Sequence, residues 1–302
     1  MEIAILMSTY NGKNYLDEQL KSLADQILNG HMTIYIRDDG SSDCTTTIIK
    51  KWRKELDIVL YEENNIGPAK SFWSLFMREE IQADYYAFCD QDDIWDPFKV
   101  QAGISALENE ECAALWCSNC RIIDSVGKVI VEKMNEEEPS FSIISQLVCG
   151  TTQGCAMLFN DKLRKYIFDK NIVEIPMHDF VIMTYAIANG KVFYDEKPYF
   201  GYRVHSNNVV ANNGKNLIQH INSSLNRWFA DEHRNELSTF AEKFLKDNKE
   251  YLDFETKKYI SNLIIVKHSV MARFKIVFNK NTFSANKNAE RSFKIRTLLG
   301  VI

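Results

Sequence analysis

The densest chemistry in the sequence lies at Phe88-Cys89-Asp90-Gln91-Asp92-Asp93-Ile94-Trp95, where three carboxylates fall within four residues just past an apolar run. Like charges held this close repel unless a cation neutralises them. A hard divalent ion with oxygen ligands is the natural partner, and Mg2+ and Mn2+ both commonly bridge to diphosphates. A solvated acidic turn is the plainer reading of the same residues. A second acidic turn, Arg37-Asp38-Asp39-Gly40-Ser41-Ser42-Asp43, offers acceptors for the N–H groups of a nucleotide base. Ser42 or Asp43 also suits the N-cap of a following helix, and both readings can hold together.

These turns need elements to hold them. Residues 2–7 are almost wholly apolar and end at Ser8-Thr9-Tyr10-Asn11-Gly12, which predicts a buried parallel strand. Helical spacing follows over 15–28, a strand over Thr33–Arg37, a helix over 44–55, a strand over Ile58–Tyr61, a helix over 69–80 and a strand over Tyr85–Cys89. The repeated strand–polar turn–helix unit predicts an α/β fold with a mostly parallel sheet and helices on both faces. Ligands bind such sheets beyond the carboxyl ends of the strands, where the acidic turns lie.

Further on the pattern is mixed, with strands expected at 113–123, 154–159 and 191–195, a helix at 179–189 and an exposed loop at 135–140. After about residue 215 strand signals vanish and helical patterns take over, so the sequence divides into 1–214 and a helical, basic 215–302. A net charge of −5 argues against a dedicated nucleic-acid binder. The seven cysteines include the pair Cys117 and Cys120, which lacks the second ligand pair of a structural zinc site and reads as reduced structural thiols. The first residues lack a signal-peptide pattern and no apolar run reaches membrane-spanning length. The expectation is a cytoplasmic protein, with adhesion to a membrane surface left open.

Four segments in order, Ser8–Gly12, Asp38–Asp43, Asn65-Ile66-Gly67 and Asp90–Asp93, together resemble the signature of family 2 glycosyltransferases with the GT-A fold. The resemblance covers roughly residues 1–210. It implies that Ser8, Thr9, Tyr10, Asn11, Asp38 and Asp39 surround the nucleoside, with Tyr10 stacked on the base and Asp39 accepting from the base imide. Gly67 and Lys70 would lie toward the phosphates. Asp90 and Asp92 would be the two acids of the DxD motif, with Gln91 between them, Asp90 on the ribose and metal side and Asp92 on the metal. The orientation of Asp93 stays open.

Gly150-Thr151-Thr152-Gln153-Gly154 resembles the family's acceptor-side segment, which would place Thr152, Gly154, His178 and Trp95 toward the acceptor. Met177-His178-Asp179-Phe180 resembles the motif carrying the catalytic base. Asp179 would take the acceptor proton, although as a residue it also suits the cap of the helix that follows. Gly201-Tyr202-Arg203-Val204-His205 and the following Ser206–Val209 resemble the family's closing segment. There Arg203 would contact the diphosphate and His205 would join the metal site.

The combination resembles bacterial rhamnosyltransferases of wall, capsule or O-antigen synthesis. It implies dTDP-β-L-rhamnose as donor, Mg2+ or Mn2+ as cofactor and a glycan or polyprenyl-linked oligosaccharide as acceptor. Transfer from a UDP-sugar and a non-catalytic glycan-binding relative are the alternatives; metal-dependent donor hydrolysis separates the last from an enzyme. From Lys257 onward ten Lys/Arg accompany one acid, Glu290, and alternate with apolar residues. This tail suits an anionic membrane surface on the inner face of the plasma membrane, an ordinary packed subdomain or a homodimer contact.

Overall fold

The computed structural model describes residues 1–205, 236–284 and 286–302, so Ser206–Val209 and the 214/215 boundary lie outside the described residues. In chain order the elements are β1 (Glu2–Thr9), α1 (Leu16–Ala24), β2 (His31–Asp38), α2 (Thr45–Trp52), β3 (Asp57–Glu62), α3 (Pro68–Phe76), β4 (Tyr85–Cys89), β5 (Ile94–Trp95) and α4 (Lys99–Leu107). Then come β6 (Ala114–Ile123), β7 (Val129–Val131), α5 (Ile143–Cys149), a 3-10 turn at Gly154–Ala156, β8 (Met157–Asn160), α6 (Asp161–Phe168), α7 (His178–Asn189) and β9 (Lys191–Arg203). Among the described residues four helices follow: α8 (Glu236–Asn248), α9 (Phe254–Ile264), α10 (Val270–Val277) and α11 (Lys287–Leu299).

The chain forms two compact units that interleave along the sequence. The first comprises Met1–Glu138, Thr152–Asp169 and Gly190–His205, and the second comprises Pro139–Thr151, Lys170–Asn189 and the described part of Ser206–Ile302.

The first unit holds one sheet in the order β3-β2-β1-β4-β8-β6-β9-β5, with β7 paired to β6. Strands β1 to β4 are parallel. Beyond β4 the pairing is mixed: β8 is antiparallel to both β4 and β6, whereas β6 and β9 run parallel. The mostly parallel expectation therefore describes the first half. Strand β1 is buried on both pleat faces from Ile3 to Met7. Ile3, Ile5 and Met7 share a core with Leu16, Leu20 and Leu23 of α1, Ile49 of α2 and Val100 and Ile104 of α4. On the opposite face Phe72 of α3 meets Phe88 edge-on at 5.7 Å, and Arg164 of α6 lies 5.0 Å over the Tyr86 ring. Helices thus cover both faces, as an α/β sheet requires.

In the second unit the aromatic faces of α7 and α8 meet, with Tyr185 edge-on to Phe244 at 5.2 Å and its hydroxyl donating to Asp247 at 2.7 Å. Helices α9, α10 and α11 pack in succession, and α5 lies against α7 and α11. The loop at Glu136, Glu137 and Glu138 is exposed, as expected. All seven cysteines are free thiols. Burial raises the pKa of Cys117 and pushes that of Cys120 up to about 12, so both pack as protonated thiols.

Candidate active site

The carboxyl ends of β1, β2 and β4 are tied into one rim by their own turns. Thr9 is buried, and its hydroxyl donates to Asp38 Oδ1 at 2.9 Å, joining β1 to β2. Asp38 also accepts from the hydroxyl of Ser41 at 2.6 Å and its N–H at 2.8 Å, which closes the second turn. Asn11 sits in the left-handed region at φ 47°, a conformation asparagine tolerates. Its Oδ1 accepts from Ser42 N–H at 2.9 Å and its own N–H donates to Ser41 Oγ at 2.9 Å, lacing the first turn to the second. The N-cap position of α2 is Cys44 rather than Ser42 or Asp43, and Asp43, one residue earlier, accepts from Thr45 N–H at 2.9 Å.

Gln91 joins the first turn to the acidic one. Its Oε1 accepts from Tyr10 N–H at 2.9 Å and its Nε2 donates to the Tyr10 carbonyl at 3.1 Å. The Tyr10 ring stands 50% exposed above this clasp, free to meet a planar ligand. Gly12 lets Gln91 approach: a Cβ there would lie 2.3 Å from Gln91 Oε1.

Asp39 is 2% exposed and engaged by the protein. Its Oδ1 accepts from Arg37 and from Ile66 N–H at 2.9 Å, and its Oδ2 accepts from Gly67 N–H at 2.9 Å. Arg37 is itself buried and donates to Ser71 Oγ at 3.0 Å and to the Asn64 carbonyl at 2.8 Å. Ser8 Oγ lies 2.6 Å from Ser71 Oγ in the same network. Asp39 thus sets the 64–67 loop, and Oδ2, with a single protein donor among the described residues, keeps acceptor capacity. Gly67 has φ 84° and open space beside it, and Lys70 is exposed on the first turn of α3.

The three acids of the 90–93 turn separate by environment. Asp90 and Asp92 are half-buried, whereas Asp93 is wholly buried. Burial, reinforced by Asp92 and Asp90, pushes the Asp93 pKa well above the usual carboxylate value. Its Oδ1 accepts from Arg203 N–H at 3.1 Å. Burial also raises the pKa of the Cys155 thiol, which lies beside Asp93. Ligand atoms of Asp90, Asp93 and Cys155 lie within 4.8 Å of one another. A thiol is a soft ligand, so within this trio the carboxylates are the groups that suit a hard ion.

The outward pair is Asp92 and His205. His205 Nε2 lies 2.9 Å from Asp92 Oδ2, and the imidazole stacks on Tyr15 at 4.7 Å. Asp92 and His205 thus offer a carboxylate and an imidazole side by side, ligand types a divalent cation accepts.

Two residues assigned to ligands from sequence serve the framework. Arg203 is wholly buried. Its Nε donates to the Asp92 carbonyl at 2.7 Å, a terminal N–H donates to the Ser125 carbonyl at 3.1 Å, and another meets Glu18 Oε2 at 2.5 Å. It pins the acidic turn from behind instead of reaching a diphosphate. Trp95 is 2% exposed and belongs to the core, with Lys99 Nζ 3.4 Å over its ring, so it presents no face to an acceptor. Both departures share a cause: β9 continues to Arg203, beyond the expected 191–195, and pairs Trp95 with Phe200 in antiparallel register.

Thr152 is half-buried, and buried Gly154 opens the 3-10 turn that carries Cys155 toward Asp93. In the second unit, His178 is buried and its pKa is lowered by that burial. Asp179 lies in the first turn of α7 and accepts from Phe180 N–H at 2.7 Å. Sequence reasoning missed Tyr15, Glu18, Arg37, Lys99 and Cys155. They lie on a turn, helices, a strand and the 3-10 turn, and Tyr15, Glu18, Arg37 and Cys155 meet partners distant in sequence, so no local motif marks them.

Residues 4–167 match the model of the family described as Glycosyl transferase family 2. The dTDP-rhamnosyl transferase RfbG of Shigella flexneri is 28% identical over 276 residues, covering 86% of this chain and 91% of that protein. Among solved structures, TarS of S. aureus in complex with UDP-GlcNAc superposes with a TM-score of 0.63 at 17% identity, covering 100% of this chain and 82% of that one. A mannosyltransferase from Pyrobaculum calidifontis in complex with GDP-Man and Mn2+ superposes with a TM-score of 0.54 at 11% identity, covering 97% of this chain and 73% of that one. Those likenesses carry the GT-A fold. With the strand-end turns, the half-buried Asp90 and Asp92 and a family match spanning more than half its length, this chain belongs to glycosyltransferase family 2.

Proposed function

We propose that the chain transfers L-rhamnose from dTDP-β-L-rhamnose, with inversion, to a glycan or polyprenyl-linked oligosaccharide in surface-polysaccharide synthesis. The observation that carries the donor is the 28% identity to a dTDP-rhamnosyl transferase over 91% of that protein's length. The fold does not select the base, since its solved neighbours hold UDP-GlcNAc and GDP-Man. An acceptor carried on a polyprenyl lipid would set the enzyme at the inner face of the plasma membrane.

In this reading the exposed Tyr10 ring stacks on the base, and the loop held by Asp39 borders it. Asp90, Asp92 and His205 would hold Mg2+ or Mn2+. That ion supplies charge neutralisation for the departing diphosphate. Asp179 acts as general base: the acceptor oxygen bonds to the anomeric carbon, the bond to the diphosphate breaks and the acceptor proton passes to the carboxylate.

Thermal shift with dTDP-rhamnose, dTDP, UDP-sugars and GDP-sugars, each with and without Mn2+, tests the donor, because ligands of the folded state raise its stability. The largest shift is expected from dTDP-rhamnose with metal. A clearly larger shift from a UDP-sugar overturns the donor. Asp179→Asn is expected to keep the donor shift while transfer falls by at least about 100-fold; transfer at the parental rate removes Asp179 as the base.

A further inference from the structure

Helices α10 and α11 each carry two apolar stripes. On α10, Ala272 and Ile276 are buried in the bundle. Its opposite side shows Val270, Met271, Phe274 and Phe278 to solvent, with Met271 66% and Phe278 77% exposed. At about 100° per residue these four fall within one arc of roughly 100°. The Phe274 and Phe278 rings stack 4° from parallel, with centroids 6.0 Å apart, as an apolar plate. On α11, Phe293 and Thr297 point inward, while Ile295, Leu298 and Leu299 are exposed. Arg273 clamps the two helices: its guanidinium donates to the carbonyls of Val266 at 2.9 Å, Lys267 at 2.8 Å and Leu298 at 3.1 Å.

Charge selects the occupant. Residues 265–302 hold eight Lys/Arg and one acid, Glu290, a net +7 in a chain of −5, leaving −12 for the remainder. Glu290 is already bound by Lys294 at 2.7 Å and Lys287 at 3.1 Å. Lys275, Lys280 and Arg291 are exposed and make no ion pair among the described residues. A second copy meeting this face symmetrically would set basic residues against basic residues. Apolar side chains flanked by cations suit the headgroup–acyl boundary of an anionic bilayer.

We propose that the outward faces of α10 and α11 form an anionic-membrane docking surface, with Met271, Phe274, Phe278 and Leu298 entering the interface and Lys275, Lys280 and Arg291 meeting lipid phosphates. Ile276 and Phe293 turn inward and Arg273 holds carbonyls, while Val270 and Met271 face out. The surface rests on exposure and charge in the second unit, independent of the donor.

The test is sedimentation of the full-length protein with sucrose-loaded vesicles of phosphatidylcholine alone or with 30% phosphatidylglycerol, at about 0.1 M and 0.5 M salt. Binding is expected to the anionic vesicles only, weakened at high salt. Phe274→Ser with Phe278→Ser, and separately Lys275→Glu with Arg291→Glu, should each lower the bound fraction at least about tenfold. Melting temperature and nucleotide-induced shift should stay at the parental values. No sedimentation at low salt, or equal sedimentation with neutral vesicles, overturns the proposal. So does a concentration-dependent dimer that the same substitutions dissolve, which reassigns the face to self-association. Vesicle binding by a protein that prefers another nucleotide sugar would sink the donor reading and leave this surface standing.

Discussion

His205 Nε2 lies 2.9 Å from Asp92 Oδ2, so the segment just past β9 meets the acidic turn 113 residues earlier in the chain. In the proposed reading this histidine and carboxylate bind one cation together. His205→Ala is expected to raise the Mn2+ concentration for half-maximal donor-induced thermal shift by at least about tenfold. An unchanged metal titration removes His205 from the ion's ligands.

Metal removal should act on donor binding more than on folding. With EDTA, the thermal shift produced by a nucleoside diphosphate is expected to collapse, while the melting temperature of the ligand-free protein moves little. Asp92→Ala should reproduce that behaviour without chelator and abolish transfer. Transfer by Asp92→Ala at the parental rate would refute a metal role for this turn.

Arg203 should behave as a framework residue. Arg203→Lys keeps the charge but loses the fork that joins Glu18, Ser125 and Asp92. Its loss should destabilise the fold by about 3 kcal/mol, read as a lower denaturation midpoint, with the donor KM of the folded fraction near the parental value. A raised KM at unchanged stability would make Arg203 a phosphate ligand.

Gly12→Ala should displace Gln91, whose flexible amide lies where the new methyl would go. The clasp on Tyr10 is then lost, costing about 1 kcal/mol of stability and raising donor KM by several-fold. Crystallographic or NMR evidence that the Gln91–Tyr10 bonds persist in the variant counts against this.

Lys99 makes stability depend on alkaline pH. Burial lowers its pKa from 10.5 to about 8. Between those values the unfolded chain binds more protons than the folded one, so stability from this residue rises as pH increases through the window. The whole effect amounts to roughly 3 kcal/mol. Lys99→Met removes the charge, so the variant's advantage over the parent should shrink from pH 7 to pH 10 in denaturant titrations. A constant difference across that range would show that Lys99 does not titrate there.

The sequence by itself determined the parallel half of the sheet and the turns at its strand ends. Apolar runs such as 2–7 are too uniformly buried to be anything but covered strands, and each must stop where polar residues begin. Chain order then places Ser8–Gly12, Asp38–Asp43 and Asp90–Asp93 on one rim, which is what made the family legible. Tertiary structure decided which member of each motif faces outward. Asp90, Asp92 and Asp93 read alike in sequence, yet only Asp93 is enclosed, because β9 lays Arg203 against it from 110 residues away and Cys155 approaches from another turn. The same long-range pairing buries Trp95 and converts Arg203 from a phosphate candidate into a brace. Local pattern encodes the period of an element; the solvation of a particular side chain depends on what distant chain packs over it, and pKa and ligand access follow from that solvation.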